Sequence, residues 1–251
     1  MSLEEVRRSW DAFGRKDPLW AILTDPKKKG NKWQAAEFFE TGMSEIKYLM
    51  EHIESLGVHI PRRKALDFGC GVGRLTQALA GYFGEVHGVD IAPSMIELAI
   101  RYNRYGDRCK YHVNNSASLE LFGDDSFDLI YSRLTLQHMQ PEYAKGYITE
   151  FVRVLAPSGL LIFSLLSHRV NPEKPVNPNS IKQRVKRTMP RSLLKVYRRI
   201  RYRPVMLGCG IDRREVVTLL ERNSAKVIEI SENQDGGKAW ISYRYCATKL
   251  P

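Results

Sequence analysis

The chain has 251 residues, of which 43% are hydrophobic and 10% aromatic, and its formal net charge is +11 at pH 7. This composition is sufficient for one α/β domain with a substantial core, and it excludes a chain that is disordered throughout. No apolar run reaches membrane-spanning length and the acidic amino terminus is unlike a signal peptide, so we expect a cytoplasmic protein. The four cysteines are widely spaced, which predicts free thiols rather than disulfides or a zinc site.

The first predicted elements are helices. Residues 2–56 have helical periodicity, interrupted by a lysine-rich irregular stretch at 25–32, and we expect residues 1–60 to form a helical cap or lid. Residues 61–251 are predicted to form the main domain. It opens with a strand at 64–68, a helix at 73–82 and a strand at 85–90, which together make a βαβ unit.

Strands and helices keep alternating along the rest of the chain. We predict helices at 92–99, 143–154 and 213–222, and strands at 110–114, 127–132, 160–166, 225–230 and 240–247. Only residues 231–239 separate the last two strands, too few for a parallel crossover, so these strands should be antiparallel. The expected fold is a doubly wound, seven-stranded, mostly parallel sheet with an antiparallel last strand, plus the amino-terminal helical cap.

A glycine-rich turn follows the first predicted strand. Gly69, Gly71 and Gly73 alternate in this turn, and the next strand ends in Asp90. Glycine has no Cβ, so the backbone can turn sharply and a ligand can lie directly against it. A carboxylate at the end of the neighbouring strand can bind ribose hydroxyls. The arrangement predicts a site for an adenosine-containing cofactor.

The stretch from Asp67 to Gly73 resembles motif I of the class I S-adenosylmethionine-dependent methyltransferases, acidic-x-Gly-x-Gly-x-Gly. A dinucleotide fingerprint would instead have glycine at the position of Arg74. The resemblance implies a Rossmann-like fold, methyl-transfer activity and S-adenosylmethionine as cofactor. It also implies a set of cofactor-binding residues: Phe68, Gly69, Cys70 and Gly71 for the methionine portion, Asp90 for the ribose, Ile91, Ala92 and Met95 for the adenine face, Asn115, Ser116 and Ala117 for the adenine edge, and Ser132 for the methionine amino group.

His138 is the candidate catalytic residue. It lies just beyond the fourth predicted strand, near the expected position of the methyl group, and imidazole titrates near neutrality, as a general base should. The alternative is a histidine that only caps a loop or closes the cofactor pocket. In-line methyl transfer mainly requires alignment and exclusion of water, so no metal is predicted.

An insertion at about 169–205 carries a concentrated positive charge. Residues 174–203 contain eleven lysines and arginines and no acidic residue. Their summed charge of +11 equals the formal net charge of the whole chain. Three ligand-binding interpretations remain open: an anionic small-molecule acceptor, peripheral contact with an anionic inner membrane surface through residues 181–203, or RNA binding. The alternative is a solvated helical face that binds no ligand. Nucleic acid is less favoured because no RNA-binding module is appended.

The sequence, with this resemblance, therefore predicts S-adenosylmethionine-dependent methyl transfer to an oxygen of a small-molecule, glycan or lipid-linked acceptor. The overall layout resembles methyltransferases of the small-molecule, biosynthetic type. Two alternatives stand beside this hypothesis. The first is an RNA or tRNA methyltransferase that uses the basic insertion, and the second is a non-catalytic, cofactor-binding partner subunit.

Overall fold

A computed structural model describes residues 1–171 and 204–250, and its centre is one seven-stranded sheet. The strands are β1 (Lys64–Phe68), β2 (Glu85–Asp90), β3 (Cys109–Val113), β4 (Phe127–Ser132), β5 (Leu155–Arg169), β6 (Ala225–Asn233) and β7 (Trp240–Lys249). Their order is β3-β2-β1-β4-β5-β7-β6. Neighbouring strands are parallel except at β7, which is antiparallel to both β5 and β6. The predicted fold class is confirmed.

The described helices are α1 (Leu3–Lys16), α2 (Pro18–Ile22), α3 (Ala35–Ser55), α4 (Arg74–Leu79), α5 (Pro93–Tyr102), α6 (Pro141–Val154) and α7 (Arg213–Arg222). Their ends follow local chemistry. Ser2 caps α1 through a capping box with Glu5, and prolines occupy the first turns of α2, α5 and α6. A 3₁₀ turn, Leu136–His138, follows β4.

Two apolar layers bury the sheet. One contains α6 and α7 against the side chains of β4, β5 and β7, and the other contains α3 and α4 against β1 and β2. The chain runs outward from β1 to β3 and then returns to place β4 on the other side of β1. At such a switch point the carboxyl ends of the two central strands diverge and leave a crevice for a ligand.

The carboxyl-terminal hairpin has the predicted antiparallel pairing. Ile230 of β6 lies opposite Tyr245 of β7, and the Tyr245 ring stacks on Phe163 of β5 with centroids 5.0 Å apart. Strand β5 is longer than predicted, because its first residue, Leu155, pairs with β4 and its last, Arg169, pairs with β7.

Helix α3 is part of the core rather than a detached cover. Its buried residues Ile46, Leu49, Met50 and Ile53 belong to the same apolar cluster as β1 and α4. The predicted division into a cap (1–60) and a main domain (61–251) stays a prediction.

Two further expectations concern the chain as a whole. Within residues 1–171 and 204–250, no helix is both long and apolar enough to cross a membrane. The basic insertion predicted at about 169–205 lies almost entirely outside the described residues.

Candidate functional site

A cavity of about 480 Å³ opens at the carboxyl ends of β1, β2 and β4, under α1 and α2. Its size is within the range of about 300–1,000 Å³ that is usual for small-molecule sites. Eight of the predicted site residues line it: Phe68, Gly69, Cys70, Gly71, Asp90, Ile91, Met95 and His138. The structure therefore brings the glycine turn, the acid of β2 and the histidine after β4 together around one cavity.

The glycine turn needs its glycines for two reasons. Gly69 and Gly71 have φ values of 80° and 53°, in the left-handed region that side chains disfavour. A Cβ at Gly69 would lie 2.1 Å from Oγ1 of Thr135, and one at Gly71 would lie 2.5 Å from Cδ1 of Ile22. The glycines thus allow close protein packing around the turn as well as close approach of a ligand.

Asp90 is held by the backbone around it. Its carboxylate accepts hydrogen bonds from the N–H of Gly71 at 2.9 Å and from the N–H of Ala92 at 2.8 Å. Burial raises the pKa of Asp90 from 3.8 to about 6, although these donors favour the ionised form. The carboxylate is therefore ionised at pH 7 and oriented at the cavity wall. Ala92 itself is buried beneath Asp90 and outside the cavity lining.

Besides Ala92, four more of the predicted cofactor residues lie away from the cavity lining. Asn115, Ser116 and Ala117 are outside it, and Asn114 occupies the wall at the end of β3 instead. Ser132 is fully buried, and its hydroxyl donates to the carbonyl oxygen of Phe68 at 3.0 Å. In this structure Ser132 ties β4 to β1, and the roles assigned to residues 115–117 stay predictions.

A partly buried ion-pair network contributes Arg74, Arg133 and Asp235 to the cavity wall. Glu45 of α3 lies 2.9 Å from Arg74 and 2.6 Å from Arg133, and Arg133 also lies 2.9 Å from Asp235. Burial alone would raise the pKa of Glu45, but the two arginines outweigh burial and hold the pKa below its ordinary value. Tyr131 donates a further hydrogen bond to Glu45 at 3.0 Å. Both arginines at the wall are therefore already neutralised by carboxylates.

His138 is held in place on two sides. Its Nδ1 lies 2.6 Å from the carbonyl oxygen of Leu207, and its ring packs against Trp10 of α1 with centroids 5.0 Å apart. Burial lowers the pKa of His138, and the contact with the Leu207 carbonyl only partly opposes this effect. The imidazole is consequently neutral at pH 7, the state that a general base requires.

Sequence reasoning missed Arg74, Arg133, Asp235 and Trp10 at the cavity. Two of them had a usable signal, because Arg74 directly follows the glycine turn and Arg133 directly follows β4. Charged residues at the carboxyl ends of central strands are typical of ligand sites. Asp235 had no such signal, since it is 102 residues from its partner Arg133 along the chain.

Part of the chain matches a known protein family. Residues 66–163 match the model of the methyltransferase domain family, and this segment begins within β1 and ends within β5. The chain is 36% identical over 118 residues to malonyl-(acyl-carrier protein) O-methyltransferase of Halorhodospira halophila, covering 46% of this chain and 38% of the relative. It is 31% identical over 177 residues to 2-methyl-6-phytyl-1,4-hydroquinone methyltransferase of Synechocystis sp., covering 70% of this chain and 54% of the relative. The chain thus spans about half, or less, of the length of these curated relatives.

The fold comparison extends over nearly the whole chain. The crystal structure of magnesium protoporphyrin IX methyltransferase from Synechocystis PCC 6803 with bound S-adenosylhomocysteine (SAH) superposes with a TM-score of 0.62. The sequence identity is 17%, and the match covers 97% of this chain and 98% of the other. With the glycine turn, the β2 acid and the reversed β7, these matches show that residues 66–163 contain a methyltransferase domain and that the described chain has the fold of S-adenosylmethionine-dependent methyltransferases.

Proposed function

We propose that this protein transfers the methyl group of S-adenosylmethionine to an oxygen of a small-molecule acceptor, the class that includes glycan and lipid-linked compounds. The observation that carries the proposal is that the glycine turn, Asp90 and His138 line the same cavity. One relative supports transfer to oxygen, because its name records O-methylation of a malonyl carrier, and a second, a hydroquinone methyltransferase by name, supports a small-molecule acceptor.

The residues of the cavity fit the cofactor. The turn at Gly69 and Gly71 gives main-chain access for the methionine portion, and the Asp90 carboxylate suits ribose hydroxyls. The apolar side chains of Ile91 and Met95 line the wall beside Asp90 and suit an adenine ring. Asn114 lies at the same end and offers a polar side chain to the adenine edge.

The cofactor supplies an electrophilic methyl group on a sulfonium. The protein contributes alignment, exclusion of water by α1 and α2, and a base. His138 is neutral and lines the cavity, so it is the side chain proposed to accept the acceptor proton. A positioned base of this kind contributes about 10²- to 10⁴-fold to the rate.

The described cavity favours an uncharged acceptor over an anionic one. Its two arginines, Arg74 and Arg133, are both paired with carboxylates, which leaves neither as an unpaired cation for an anionic substrate. An anionic acceptor would thus depend on the basic residues of 174–203. Contact with a membrane or with RNA would likewise depend on those basic residues.

The experiment combines calorimetry with turnover. We expect purified protein to bind SAH, and conversion of S-adenosylmethionine to SAH to depend on an added hydroxyl acceptor from a panel of phenols, sugars and hydroxy acids. His138→Gln should lower turnover by about 10²-fold or more with SAH affinity unchanged, since it removes the base and leaves the cofactor residues. His59→Gln, at an exposed position away from the cavity, is the matched control.

Each outcome of this experiment leads to a different conclusion. Failure to bind SAH would overturn the methyltransferase proposal. Full activity in His138→Gln would remove the base from the mechanism. Stoichiometric binding without turnover on any acceptor would favour the cofactor-binding partner subunit, and turnover on tRNA alone would favour the RNA enzyme.

A further inference from the structure

A short irregular segment, residues 204–211, borders the cavity, and we call it the strap. Met206 contributes its side chain to the cavity lining. The strap begins where the described chain resumes after the basic segment and ends just before α7. Apart from an isolated bridge between Gly210 and Leu166 of β5, it belongs to no strand.

Four hydrogen bonds attach the strap to three other parts of the protein. They join Val205 N–H to Ser9 Oγ of α1 (3.4 Å), His138 Nδ1 to Leu207 O (2.6 Å), Cys209 N–H to Gln137 O (2.9 Å) and Ile211 N–H to Leu166 O of β5 (2.9 Å). Two of the four hold adjacent residues of the 3₁₀ turn that carries His138. The strap is thus bonded to α1, to the candidate base and to the sheet.

The contact with Leu207 determines where the proton of the neutral imidazole lies. A carbonyl oxygen can only accept a hydrogen bond, so the 2.6 Å contact requires the hydrogen on Nδ1. In a neutral ring the other nitrogen, Nε2, then carries a lone pair. Within residues 1–171 and 204–250, Nε2 has no hydrogen-bond partner.

We propose that the strap is the positioning element of the active site, and that the Leu207 carbonyl fixes His138 in the Nδ1–H tautomer so that Nε2 can accept the acceptor proton. This inference rests on the proposed function and deepens it. In the reaction, the acceptor O–H bond breaks and its proton moves to Nε2. The acceptor oxygen forms the new bond to the methyl carbon as the carbon–sulfur bond breaks, which leaves neutral SAH and an imidazolium stabilised by the Leu207 carbonyl.

The chain offers two glycines in the strap that serve as a matched pair. A Cβ at Gly210 would lie 2.2 Å from the carbonyl oxygen of Ser167, so an alanine there forces the backbone apart. A Cβ at Gly208 would lie no closer than 3.5 Å to the Trp240 ring, an ordinary contact. Gly210→Ala should displace the strap from β5, and Gly208→Ala should leave it in place.

The first measurement is nitrogen-15 NMR of the histidine rings in the wild-type protein, with His138→Gln used to assign the signal. We expect His138 to show a protonated Nδ1 and an unprotonated Nε2. A protonated Nε2, or a mixture of the two tautomers, would overturn the proposal. This measurement needs no turnover, so it stands even if the acceptor is never found and the proposed function fails.

The second measurement separates positioning from folding. We expect Gly210→Ala to remain folded, to bind SAH with wild-type affinity, to lose the single-tautomer signal and to lower kcat by about 10²-fold, because displacement of a catalytic group by about 1 Å has an effect of this size. Gly208→Ala should match the wild type in all four properties. Loss of the single tautomer with kcat unchanged would overturn the proposal, and if Gly210→Ala does not fold, the wild-type tautomer decides the question.

Discussion

At the residue scale, the glycine turn and Asp90 show what a local pattern can predict. Gly69, Gly71 and Asp90 lie where the sequence placed them because a short strand–turn–helix unit determines its own geometry. The sequence could not predict that Thr135 and Ile22 fill the space beside the glycines. Both side chains come from distant parts of the chain, and only the assembled fold brings them to the turn.

Asp90 gives the cofactor affinity a pH dependence. Its pKa in the folded protein is about 6, raised from 3.8, so the carboxyl takes up a proton as the pH falls through 6. Ribose hydroxyls need the ionised carboxylate as acceptor. We therefore expect the Kd for SAH, measured by calorimetry, to be constant above about pH 7 and to rise about tenfold for each pH unit below pH 6.

The control for this prediction is Asp90→Asn. Because an amide does not titrate in this range, the variant should bind SAH more weakly at pH 7.5, by roughly 1.5–3 kcal/mol, with a flat profile. A slope that persists in the variant would assign the titration to another group. Asp67 is the neighbour to consider, because burial raises its pKa to about 7.

At the element scale, the strands were more predictable than the wall of the cavity. Strands β1, β2 and β4 have the predicted bounds, since each is an apolar run flanked by clear turn residues. The reversed β7 followed from the short connection at 231–239. The network of Glu45, Arg133 and Asp235 was not predictable, because it joins α3, the end of β4 and the β6–β7 turn. No local periodicity relates these three positions.

This network should stabilise the fold strongly. Glu45→Gln removes the charge that compensates Arg74, whose side chain is 4% exposed. An uncompensated buried cation costs about 3–5 kcal/mol, and we expect a loss of about that size in the free energy of unfolding, measured by urea denaturation.

The matched control lies on the same helix. Glu51 is 4.0 Å from Lys47, and both side chains are well exposed, so Glu51→Gln should change the free energy of unfolding by less than about 0.5 kcal/mol. Equal losses in the two variants would show that the network adds nothing beyond an ordinary surface pair.

At the scale of the whole molecule, α1 and the strap together enclose the cavity. Val6 and Trp10 of α1 line it, Asp11 accepts a hydrogen bond from the Ser94 N–H of α5 at 3.0 Å, and Ser9 joins α1 to the strap. Opening either element exposes the other. A ligand in the cavity should therefore stabilise both together.

Hydrogen exchange measures this coupling. With SAH at about 100 times its Kd, we expect amide exchange in α1 and in residues 204–211 to slow in parallel, by up to about 100-fold, with β6 as internal reference. Asp90→Asn at the same SAH concentration should show less protection. Protection confined to the glycine turn would show that α1 and the strap move independently of the cofactor.

The position of β7 has a consequence for synthesis on the ribosome. Strands β1 to β5 can assemble as soon as they emerge, but among the described strands β6 pairs only with β7, and β7 is made after it. Until residues 240–249 have left the exit tunnel, β5 presents an open edge, which is a template for pairing with other nascent chains. A premature stop codon that removes only this last strand would release β6 as well, and would leave that edge permanently uncovered.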